Sequence, residues 1–149
     1  MEERRVEDLW GFKDSGSFRS NKDRIPETML NTQFRLIKSK TDGAITGRTI
    51  HIRIRKEENF TYNMASIYEF VVPNLDNFST TALILYSNAE TDYPVALTVG
   101  KCFEDDGVDF QPDYVCHNTE EFTACVKEAL RSSSIMDKLE TLYAKALVC

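Results

Sequence analysis

In the stretch Arg48-Thr49-Ile50-His51-Ile52-Arg53-Ile54-Arg55, polar and apolar residues alternate without a break from Thr49 onward. A helix with 3.6 residues per turn would scatter these isoleucines around its surface. A pleated strand sends successive side chains to opposite faces. Ile50, Ile52 and Ile54 then share one face, and Thr49, His51, Arg53 and Arg55 share the other. The segment is therefore a strand, and it sets a row of basic or titratable groups on a chain whose formal net charge is -6.

The surrounding chain builds a sheet with helices. Pro26 suits a first helical turn and Glu27 favours the positive end of the dipole. Leu30, Phe34 and Ile37 follow at helical spacing, with Met29 and Gln33 beside them, and Thr41-Asp42-Gly43 is a stop. The spacing predicts a helix over 26–40. Strands are expected over 45–56, 60–73, 81–88, 95–103 and 110–116, with turn clusters at 74–77 and 104–107. Short connections favour antiparallel hairpins. Two helices should finish the chain. The first is capped by Asn118 or Thr119 and carries Phe122, Cys125, Val126, Ala129 and Leu130 as its stripe. The second is capped by Ser134 and carries Ile135, Met136, Leu139, Leu142, Tyr143 and Ala146.

This order predicts an α+β fold: an antiparallel sheet of about five strands, with an N-terminal helix and two C-terminal helices mainly on one face. The other face would be partly open, and His51, Arg53 and Arg55 are expected there. Residues 1–24 form an arm and 25–149 a single domain, a size that supports a core without covalent staples. Trp10, the lone tryptophan, and Phe12 are expected to pack onto the body; the other reading is a partner-binding aromatic arm.

Composition narrows the functional classes. A net negative charge disfavours general nucleic-acid binding, which needs excess Lys and Arg near phosphates. No apolar run approaches the roughly 20 residues of a membrane helix, and the start, Met-Glu-Glu-Arg-Arg, lacks the apolar core of a signal peptide. The expectation is a cytoplasmic protein without membrane contact, whose cysteines 102, 116, 125 and 149 are free thiols.

Four sets of residues carry the candidate chemistry. Cys116 and His117 are adjacent, with Cys102, Cys125 and His51 elsewhere. Zinc sites use paired ligands at short fixed spacings, and adjacent strand residues point apart, so no metal or other cofactor is expected. A Cys–His nucleophile would have to use His51 or His117. Cys116 precedes a helix start, where a thiol can be activated, which keeps that reading open. No G-x-S-x-G or glycine-rich phosphate loop is present.

Glu104, Asp105, Asp106, Asp109 and Asp113 form an acidic run around Gly107. It is read either as a solvated loop or as a contact surface for a basic protein partner. Arg48, Arg53, Arg55 and Lys56 offer anion contacts, or a charged strand edge partly neutralised by Glu57, Glu58 and Glu69. His51, Arg53, Arg55, Tyr68 and Tyr86 together would make the alternative ligand face.

The stretches 26–34 (Pro-Glu-Thr-Met-Leu-Asn-Thr-Gln-Phe), 40–43 (Lys-Thr-Asp-Gly), 68–78 (Tyr-Glu-Phe-Val-Val-Pro-Asn-Leu-Asp-Asn-Phe) and 118–122 (Asn-Thr-Glu-Glu-Phe) resemble a loose set of small bacterial α+β proteins. The resemblance spans most of residues 25–147. Some proteins of this size and style are similar to immunity proteins paired with toxins. That likeness implies a non-enzymatic module that neutralises a partner toxin or enzyme, and it brings no catalytic residue with it. The alternative is a small ligand-binding or enzymatic domain on the basic strand face. A homo-oligomer burying Trp10 or a sheet edge is a third option.

Overall fold

Pro26 opens the first helix, α1 (Pro26–Lys40), with Glu27 in its first turn and Lys38 and Lys40 in its last. Each charge complements the helix dipole. The computed structural model describes residues 6–18, 22–55, 61–101, 103 and 110–149. Helix α1 ends where Thr41 Oγ1 donates to the Ile37 carbonyl and accepts from the Ile45 amide, at 2.8 and 3.0 Å. One hydroxyl thus closes the helix and aims the chain into the sheet. Asp42 and Gly43 turn it with φ of 51° and 81°, which Gly43 adopts without steric cost.

Five antiparallel strands follow in chain order: β1 (Thr46–Arg53), β2 (Met64–Val72), β3 (Phe78–Ser87), β4 (Val95–Val99) and β5 (Tyr114–Cys116). The order across the sheet is β1-β2-β3-β4-β5. Two helices close the chain, α2 (Thr119–Leu130) and α3 (Ser133–Val148). The expected α+β architecture is the one observed.

Several boundaries differ from the sequence reading, each for a local reason. Strand β4 stops at Val99 because Gly100 turns left-handed, at φ 70°. Strand β3 starts at Phe78, since Asp76 and Asn77 complete the turn with φ of 56° and 57°. The cap of α3 is Ser132, not Ser134; Ser132 Oγ accepts from the Ile135 amide. For α2 the cap is Asn118, whose Oδ1 accepts from the Glu121 amide at 2.9 Å. Strand β5 is short because Phe110 leaves the ladder and packs elsewhere.

The sheet separates two apolar clusters. On the helix side Tyr68, Phe70, Leu83, Leu85 and Leu97 meet Leu30, Phe34, Phe122, Ile135 and Leu142. On the other side Ile54, Tyr62, Ala65, Ile67, Ile84, Tyr86 and Ala96 pack with Ile52, Phe103 and Phe110. That second face was expected to be partly open. Ala65, Ile84, Tyr86 and Ala96 are fully buried there, so it is covered at this end.

Specific contacts hold the helix layer down. Gly47 of β1 lets α1 come so close that a Cβ there would stand 2.5 Å from the Phe34 carbonyl oxygen. Asn74 Nδ2 donates to the Ala146 carbonyl at 3.1 Å, and Lys138 Nζ donates to the Thr81 carbonyl at 2.8 Å, fixing α3.

Candidate functional site

The helix layer does not close over the sheet. Between α1 on one side and α2 with α3 on the other runs a groove of about 960 Å³. Its buried lining is Phe34, Phe70, Val126 and Ile135; its half-buried walls are Met29 and Ile37 facing Leu130, Leu139 and Tyr143. Lys40, Lys127 and Arg131 stand along it as exposed cations, with Asp23 and Glu140 as the acidic members. The physical cause is the width of the helix stripes. Met29 and Ile37 extend the apolar face of α1 past the part that Leu30 and Phe34 bury against the sheet.

The chain carries a second apolar surface in its N-terminal residues. Every residue from Val6 to Phe18 is exposed, including Val6, Leu9 and Trp10 at 91, 84 and 77%. Trp10 and Phe12 were expected to lie on the body. They instead contact each other, with ring centroids 5.9 Å apart, and Phe12 meets Phe18 at 4.6 Å. Asp14 Oδ1 accepts from the Gly16 amide at 2.9 Å and caps a single 3-10 turn, Ser15–Ser17. Asp8 Oδ1 accepts from the Trp10 amide at 3.0 Å. Isolated exposed apolar residues are ordinary on protein surfaces; five large ones in thirteen residues form a patch of the kind that meets a partner.

The expected ligand face does not assemble. His51 pairs with Ser66 across the β1–β2 ladder, and Ser66 shares its face with Tyr68, which lies in the helix-side cluster. His51 and Arg53 therefore sit on the helix-bearing side of an edge strand, not on the face away from the helices. It is the Ile50, Ile52 and Ile54 row that faces away. Tyr68 is buried beneath α1, and Tyr86 is buried in the opposite cluster, so the two tyrosines cannot line one site. Arg55 is exposed beyond the end of β1, and Lys56 lies outside the described residues.

His51 Nδ1 lies 2.8 Å from Ser66 Oγ, and Ser66 is buried. Arg48 is engaged: its Nε and Nη2 donate to Glu69 Oε1 at 2.9 and 2.7 Å, and Nη2 also donates to Ser79 Oγ. Glu69 thus neutralises one arginine, as the strand pairing predicts; Glu57 and Glu58 lie outside the described residues.

Of the acidic run, Glu104, Asp105, Asp106 and Asp109 lie outside the described residues. Asp113 Oδ2 accepts from the Val99 amide at 2.7 Å, and its Oδ1 is 3.9 Å from Lys101 Nζ. Asp113 thus ties the chain before β5 to the end of β4.

The cysteine reading changes as well. Cys116 is fully buried. Burial, reinforced by the neighbouring Cys125 thiol, pushes the Cys116 thiol up to about 12. A thiol held in its neutral form is the opposite of an activated nucleophile. His117 is exposed and serves the helix start: its amide donates to Glu121 Oε2 at 2.7 Å, and its Nδ1 lies 3.2 Å from the same oxygen. These hydrogen bonds hold the Glu121 carboxyl below its ordinary value. Cys102 lies outside the described residues. Among the described residues, no three His, Cys, Asp or Glu side chains converge as a metal site, and no helix is long and apolar enough to cross a membrane.

Sequence reasoning named the apolar groove residues of the three helices, but as core. The available signal was the excess of apolar positions on α1 and α3 over what one sheet face can cover. The chain matches no protein-family model, and no curated protein and no solved structure is significantly similar to it.

Proposed function

We propose that this chain is a non-enzymatic protein-binding module, with an immunity or inhibitor role as its specific form. The observation that carries the reading is that one chain has both an apolar groove between its helices and an exposed aromatic N-terminal segment. Exposed apolar surfaces edged by charge are what a protein partner buries, with aromatic residues as the usual anchors. The side chains with chemical potential support the same reading through their structural duties. Cys116 is held protonated in the core, His117 and Glu121 secure a helix start, and Asp113 binds strand backbone. In the inhibitor form, the carboxylates of Glu104, Asp105, Asp106 and Asp109 steer a basic partner.

The test is co-purification of the tagged chain from its native cell at low and moderate salt. One stoichiometric partner, lost on Leu9→Ala/Trp10→Ala, supports a binding module. Loss on charge reversal at Asp105, Asp106 and Asp109 adds the electrostatic steering of the inhibitor form. A chain that retains no protein under either salt condition overturns the proposal.

A second reading rests on one contact, His51 Nδ1 with Ser66 Oγ beside exposed Arg53. There the edge of β1 binds a small anion. Phosphate titration followed by the His51 ring resonances tests it; an unchanged spectrum removes it.

A further inference from the structure

Strand β1 lies at the rim of the sheet, with β2 on one side and no described strand on the other. The register shows which of its backbone groups are in use. The Ile54 amide donates to the Asn63 carbonyl at 2.8 Å, in the same register that sets Ile52 against Ala65, Ile50 against Ile67 and Arg48 against Glu69. Along an antiparallel ladder, opposed pairs alternate between those that exchange hydrogen bonds and those that do not. The even-numbered residues of β1 therefore bond to β2. Gly47, Thr49, His51 and Arg53 turn their N–H and C=O groups outward, and among the described residues nothing else bonds to those groups. Gly47, His51 and Arg53 are exposed and Thr49 is half-buried, so this edge is open to solvent.

Natural sheet edges are often blunted by a proline or a bulge. Strand β1 contains no proline, and its pairing with β2 runs without a bulge. What it carries is charge of one sign. Residues 45–56 include Arg48, Arg53, Arg55 and Lys56 and no Asp or Glu. Arg48 is taken up by Glu69. Among the described residues, Arg53 and Arg55 have no ion-pair partner. His51, Arg53 and Arg55 stand at alternate positions and share one face, while Ile50, 39% exposed, and Ile52 share the other. Like charges opposed across two strands destabilise their pairing, and opposite charges support it. The β1 strand of a second copy would bring the same cations to this edge. An acidic strand brings their complement.

We infer that the edge of β1 takes up an extended acidic segment of a partner protein as a sixth strand. The inference deepens the binding-module reading and rests on it, but it uses neither the groove nor the aromatic segment. In strand addition the main-chain bonds supply affinity and alternate side chains supply specificity. A residue placed opposite His51 or Arg53 projects its side chain to the same face as theirs. Carboxylates at every second position of the segment then meet His51, Arg53 and Arg55, where Arg can bind a carboxylate through two parallel bonds. Apolar residues between the carboxylates fall against Ile50 and Ile52. The partner segment therefore alternates acidic with apolar residues, and both the charge and the spacing are read.

The probe is a capped peptide that alternates glutamate with valine, added to the isotope-labelled full chain and followed by amide hydrogen exchange. Exchange is expected to slow at the Gly47, Thr49, His51 and Arg53 amides. The Ile50 and Ile52 amides, already bonded to β2, change little. Methylating the glutamate nitrogens of the peptide, which face β1, abolishes the effect. Methylating its valine nitrogens, which face away, leaves the effect intact. Arg53→Glu/Arg55→Glu alters two exposed side chains. It loses the glutamate peptide and gains the lysine–valine counterpart, a switch that also shows the variant to be folded. Added salt weakens both pairings.

Four results overturn the inference. They are unchanged exchange at the outward amides at the highest peptide concentration, equal binding of the glutamate and lysine peptides by the unaltered chain, equal loss from methylation of either set of nitrogens, and the same response to inorganic phosphate alone, which marks a small-anion site. A cellular partner that stays bound to Arg53→Glu/Arg55→Glu also overturns it, and leaves the binding-module reading standing.

Discussion

The Tyr68 hydroxyl donates to Asn31 Oδ1 at 2.8 Å. This bond joins the second strand of the sheet to the middle of α1 beneath the helix layer. The Tyr68 ring also lies 5.0 Å from that of Phe34. Burial pushes the Tyr68 phenol well above its ordinary value, with Glu27 adding to the effect, so it remains a donor throughout the ordinary pH range. Tyr68→Phe keeps the ring and loses the bond. It is expected to lower stability by about 1 kcal/mol in urea denaturation. Asn31→Ala should cost a similar amount, and the double variant should cost less than the two separately, because both remove one interaction.

Gly47→Ala tests the approach of α1 to β1. The added methyl would meet the Phe34 carbonyl at 2.5 Å, and that contact is backbone, which cannot swing aside. The helix must lift from the strand. Overpacking of this kind costs about 1–3 kcal/mol, and thermal unfolding should show the loss. An unchanged melting temperature would mean that the helix is not seated on Gly47.

Thr98→Val is expected to stabilise the chain. Thr98 is fully buried, and among the described residues its Oγ1 has no hydrogen-bond partner. A buried hydroxyl without a partner carries a desolvation cost of about 1–3 kcal/mol. Valine keeps the shape and removes the hydroxyl, so the urea midpoint should rise. A fall would place an ordered water on Oγ1.

The thiols should separate by reactivity and by pH. Cys149 is exposed and Cys116 buried. Iodoacetamide at mildly alkaline pH should modify Cys149 first and Cys116 only on unfolding, as read by peptide mass spectrometry. The linkage has a definite sign. Below the ordinary thiol value of 9.0, both folded and unfolded states hold the Cys116 proton. Between there and about 12 the unfolded thiol ionises while the folded one does not, so the unfolded state gains and stability falls as pH rises. Cys116→Ser should flatten that fall; an equal slope in the variant would assign it to other groups.

The helix over 26–40 was legible to the residue, because Pro26 starts it, Gly43 follows its stop and Leu30, Phe34 and Ile37 mark its face. The strand alternation at 49–55 was equally plain. What alternation cannot say is which side of a sheet receives the helices. The basic row was placed on the wrong side for that reason, and Tyr68 and Tyr86 were joined although the register sets Tyr86 opposite Ala65, an odd number of residues from Tyr68 and so on the other face. Phe110 reads as a strand residue by type, yet tertiary packing draws it over the second face. The groove was hidden for a different reason. Half-buried Met29, Leu139 and Tyr143 have the same sequence pattern whether they meet another helix or a gap.

Because the order of strands across the sheet repeats their order along the chain, each strand finds its first neighbour close by in sequence. Loop-closure entropy is then lost in small steps, and no strand waits for a remote segment to arrive. The hairpin of β2 and β3, joined by the short turn through Asp76 and Asn77, is a natural nucleus. Growth proceeds outward by single strands, β1 on one side and β4 then β5 on the other, each joining a neighbour already in place.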